Sequence, residues 1–110
     1  MNVYDTANRL ASEIRSSEEF IKYKKAKEAL QTNAELKAKI DEFEKTRYEV
    51  QVLAMQGKEA DEEKNKKLQE MYSILVQNQE IKEYFDLEVK FNVMIADVNK
   101  IIAEAVKDVL

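Results

Sequence analysis

Residues 91–110 read FNVMIADVNKIIAEAVKDVL, and they carry more apolar side chains than one helix face can hold. No Gly or Pro interrupts the chain back to Gln79, so the spacing predicts one helix over about 79–109. Carried to Leu110, that helix is about 48 Å long. Laid out in seven-residue columns, Tyr84, Phe91, Val98 and Ala105 form one column. Leu87, Met94 and Ile101 form a second, and Glu88, Ile95, Ile102 and Val109 a third. These three make the stripe that a surface helix turns to its core. A further column holds Phe85, Asn92, Asn99 and Val106, and beside it stand Val89, Ala96, Ala103 and Leu110. The columns with Asp86, Lys100 and Lys107, and with Lys90, Asp97 and Glu104, are mostly charged. The apolar arc is therefore about twice the usual width of roughly 100°.

The excess predicts a second face, turned to something other than the chain's own core. Its expected residues are Phe85, Asn92, Ala96, Asn99, Ile102, Ala103 and Val106. Ala96 and Ala103 permit close helix approach. The simplest occupant is another copy, because symmetric homo-oligomers are the commonest assemblies. Asn92 and Asn99 either fix helix register, as core asparagines do in coiled coils, or lie at a rim and meet water.

The rest of the chain reads as helices too. Val3, Ala7, Leu10 and Ile14 mark one face of a leader helix over about 2–15. Ser16 with Glu19 reads as a capping box for a helix over about 17–32, and Ser17 is an equally good cap. Asn33 caps a helix over about 34–56, striped by Leu36, Ile40, Phe43, Val50 and Leu53. Gly57 sits where a helix end favours a left-handed residue. The short loop after it predicts an antiparallel hairpin with a helix over about 61–77, which starts at Asp61. Asn78 is the next cap. NAELKAKIDEFEK from Asn33 and NQEIKEYFDLEVK from Asn78 align at matching spacings. Either the chain repeats a helix–cap–helix unit, or helix starts simply share cap chemistry.

Composition supports this class. The 110 residues include one Gly and no Pro, too few for the turns of an all-β fold. One all-α domain is expected: an elongated helical hairpin or bundle with a long C-terminal helix, self-associating. The helices intrude on their own apolar stripes at Arg47 and Glu88. These two either pair, since a lone buried charge is costly, or snorkel from the stripe edges.

Chemistry is sparsely signalled. With no Cys and no His, disulfides, Cys/His zinc sites and imidazole catalysis are excluded. No Gly-rich phosphate loop is present, and the acidic clusters read as solvated faces and helix starts. The expectation is no enzyme, no cofactor and no metal. A net charge of −4 opposes nucleic-acid binding. The one basic stretch, FIKYKKAKEAL, interleaves Lys22, Lys24, Lys25 and Lys27 with Phe20 and Tyr23, a pattern that also suits weak RNA binding. No uncharged stretch approaches the roughly 20 residues that span a bilayer, so no membrane partner and a cytoplasmic location are expected.

SSEEFIKYKKAKEAL, NAELKAKIDEFEK, GKE, LVQNQEIKEYFDLEVKFN and VNKIIAEAV, in this order, resemble the YlbF/YmcA family, also called the YlbF/YheA group. The resemblance covers nearly the whole chain, and the opening NVYDTANRLASEIRSSEEF is more similar to the YheA branch. The family's Asn-Pro start of the last helix is only half kept, as Asn78 is followed by Gln79. The resemblance implies an all-α, self-associating bacterial protein. It also implies a regulatory role with heteromeric protein partners, since members act with a third protein, YaaT. That complex influences competence, sporulation and biofilm formation, and is linked to mRNA processing. Its iron–sulfur clusters are associated with cysteines, so cluster binding is not implied for this chain. The expected function is a non-enzymatic cytoplasmic regulator or adaptor acting through protein–protein contacts. The alternatives are a homo-oligomeric structural module and a weak RNA-binding factor.

Overall fold

The computed structural model describes residues 2–57 and 62–110. Among them are five helices and no strand: α1 (Val3–Ser16), α2 (Glu18–Gln31), α3 (Ala34–Met55), α4 (Glu62–Leu75) and α5 (Gln79–Val106). The all-α class follows from composition as expected. Asp61, expected to open the fourth helix, lies outside the described residues with the loop before it.

The helix starts are fixed by short side chains that accept otherwise unpaired backbone N–H groups. Asn2 accepts from the Asp5 amide at 2.9 Å, Asn33 from Leu36 at 3.1 Å and Asn78 from Ile81 at 3.2 Å. At the α1–α2 junction the cap is Ser17, whose Oγ accepts from the Phe20 amide at 3.2 Å. Ser16 instead donates to the Ser12 carbonyl at 3.0 Å, so the Ser16–Glu19 capping box does not form. The reason is that α1 continues through Ser16, which leaves its hydroxyl on the helix wall rather than at the next helix's mouth. At the end of α3, Gly57 takes φ +72°, the left-handed conformation expected there. A turn over Val76 and Gln77 separates α4 from α5, which are thus distinct helices. The last helix ends at Val106, short of 109, with a turn over 107–109.

The chain divides into two compact units, at 27/28 within α2 and at 83/84 within α5. The unit of residues 28–83 is built on an α3–α4 hairpin. Phe43 meets Tyr72 with ring centroids 6.2 Å apart, and the Lys64 ammonium lies 3.7 Å from the Glu49 carboxylate. The partner on α4 moves back as α3 moves forward, so the two helices run antiparallel. Leu30, Ile40, Phe43, Leu75 and Ile81 are its buried apolar residues. Thr46 is buried with them, and its hydroxyl donates to the Glu42 carbonyl one turn back at 3.0 Å. Arg47, expected inside this stripe, is half-buried and holds its guanidinium 5.4 Å from the centre of the Phe43 ring.

In the other unit, α2 packs on α5 through rings. Phe20 lies 6.1 Å from Phe91, and Tyr23 lies 5.5 Å from Tyr84 and 5.4 Å from Phe91. Tyr84 and Phe85 are its buried residues, 2% and 5% exposed. The Tyr23 hydroxyl donates to Glu88 Oε2 at 3.3 Å, which gives Glu88 a partner on its half-buried site. Among the described residues, no buried side-chain polar atom lacks a hydrogen-bond partner.

Candidate interaction surface

Burial along α5 is uneven, and the unevenness outlines a surface. From Tyr84 to Val98, the half-buried positions Leu87, Phe91, Met94, Ile95 and Val98 follow the core stripe. Beyond Val98 the chain supplies less cover. Ile101, expected in that stripe, is 71% exposed, and Ile102 is 52% exposed. The helix keeps its apolar pattern where little of its own chain lies against it.

The second face is open over most of its length. Asn92, Ala96, Asn99 and Ala103 are exposed, and Val106 is half-buried. Phe85 differs from expectation, because its ring lies 5.7 Å from that of Tyr84 and is buried in the chain's own core. The open part of the face therefore begins at Val89, which is 60% exposed. Sequence reading missed Val93, 54% exposed, because it stands in a column otherwise filled by Asp86, Lys100 and Lys107. One valine among charges was the available signal. It also missed the Tyr23–Glu88 bond, which joins residues too far apart in sequence for any pattern to show.

An open groove of about 480 Å³ runs along α5, floored by Val89, Val93, Met94, Val98 and Ile101 and edged by Glu19, Lys90 and Asp97. A second, of about 470 Å³, lies on the α3–α4 hairpin beside Phe43, Leu68 and Tyr72. The polar groups at the edges are Glu19, Lys90 and Asp97 on the first groove and Gln69 and Ser73 on the second. Among the described residues, no group of three or more Asp or Glu side chains converges as metal ligands would. No helix among them is long and apolar enough to cross a membrane.

The basic stretch of α2 is now placed. Lys22, Lys24, Lys25 and Lys27 are exposed, and Lys22 pairs with Glu18 one turn back. Phe20 and Tyr23 are spent on the rings of α5, so they are not free to stack on bases. Arg47 and Glu88, considered as a pair from sequence, fall in different units.

The comparisons with known proteins agree with the fold. Residues 3–107 match the family model described as control of competence regulator ComK, YlbF/YmcA. A UPF0342 protein of Caldicellulosiruptor bescii is 36% identical over 106 residues, covering 96% of this chain and 89% of that protein. A UPF0342 protein of Bacillus cytotoxicus is 36% identical over 107 residues, covering 97% and 92%. A solved structure, a protein of unknown function (DUF964) from Bacillus stearothermophilus, superposes with a TM-score of 0.82 at 20% identity, covering 96% of this chain and 93% of that one. The last likeness shows the shared fold.

Proposed function

This chain belongs to the YlbF/YmcA family, and from that premise we propose that it is a non-enzymatic cytoplasmic regulator or adaptor. It works by protein–protein contact through the outer face of α5. The family's description, control of a competence regulator, supports a regulatory role. The observation that carries the reading is the exposure on α5 of Val89, Val93 and Ile101, 60%, 54% and 71%, which line one groove, with Ile102, 52%, on a neighbouring side. A run of large apolar side chains in water marks a binding surface more often than it marks a reaction site.

The test is a pull-down of the tagged full chain from its own cells, with the mass of the native complex measured. The expected result is recovery of further copies and of at least one other protein, both reduced by Ile102→Glu. Recovery of this chain alone would favour a structural homo-oligomer over an adaptor.

A further inference from the structure

We draw no further inference here: the strongest candidate, the open apolar groove beside Phe43, Leu68 and Tyr72 on the α3–α4 hairpin, carries nothing, because nothing in the structure shows what covers it.

Discussion

Gly57 is the one glycine of the chain, and its φ of +72° shows why it is there. A Cβ at this position would meet nothing within 4 Å, so the cost of Gly57→Ala is conformational and not steric. Loss of about 1 kcal/mol is expected, read as a lower urea midpoint. Glu18 is a second residue with a defined state. The Lys22 hydrogen bond and charge hold its carboxyl below the usual range. A carboxyl lowered in the folded state stabilises above its unfolded pKa, and that contribution is lost as pH falls through the folded value. Lys22→Gln should therefore raise the Glu18 titration midpoint toward the ordinary one, measured by carboxyl NMR. An unmoved midpoint would remove Lys22 as the cause. Caps and the left-handed glycine were legible in the sequence because their partners lie within one turn. The choice of Ser17 over Ser16 was not, because it depends on where α1 stops.

Among the helices, α1 and α5 differ in what holds them. The apolar face of α1 is regular in sequence, yet α1 buries no residue and only half-buries Leu10 and Ile14. Val3 and Tyr4 are 81% and 79% exposed. A helix this short gains little from propensity alone and depends on packing. Amides of α1 should exchange with solvent by local opening, faster than that of Tyr84, which lies in the buried part of α5. Equal protection in the two would contradict this. In α5, Tyr84→Ala removes a ring that is 2% exposed and should cost about 3–5 kcal/mol, read by urea denaturation. The helices were legible because each carries its own period and cap. Which apolar columns would be covered was not, because a period shows that a face is apolar and not what lies against it. Ile101 and Phe85 changed places for that reason, one outward and one inward.

At the scale of the molecule, the residues that hold the fold and the apolar residues left on the surface are different, and this separation can be measured. Tyr84 and Ile81 are nearly inaccessible and belong to the fold. Ile102, half exposed near the end of α5, belongs to the outer surface. If native copies associate and unfolded ones do not, mass action ties thermal stability to concentration. Each tenfold rise in concentration adds about 1.4 kcal/mol per dimer, which for a chain of this length moves the midpoint by about 3 °C. The wild-type Tm should rise by that step between 10-fold dilutions, and the Tm of Ile102→Glu should stay flat. At the lowest concentration the two should converge, because Ile102 contributes little to the isolated chain. A wild-type midpoint independent of concentration, with a monomeric mass by sedimentation, would remove self-association while leaving the fold untouched. A concentration-dependent midpoint that survives Ile102→Glu would move the interface off this part of α5. In an associated state the glutamate would act by placing a charge on a covered apolar surface, where burying it unpaired is costly.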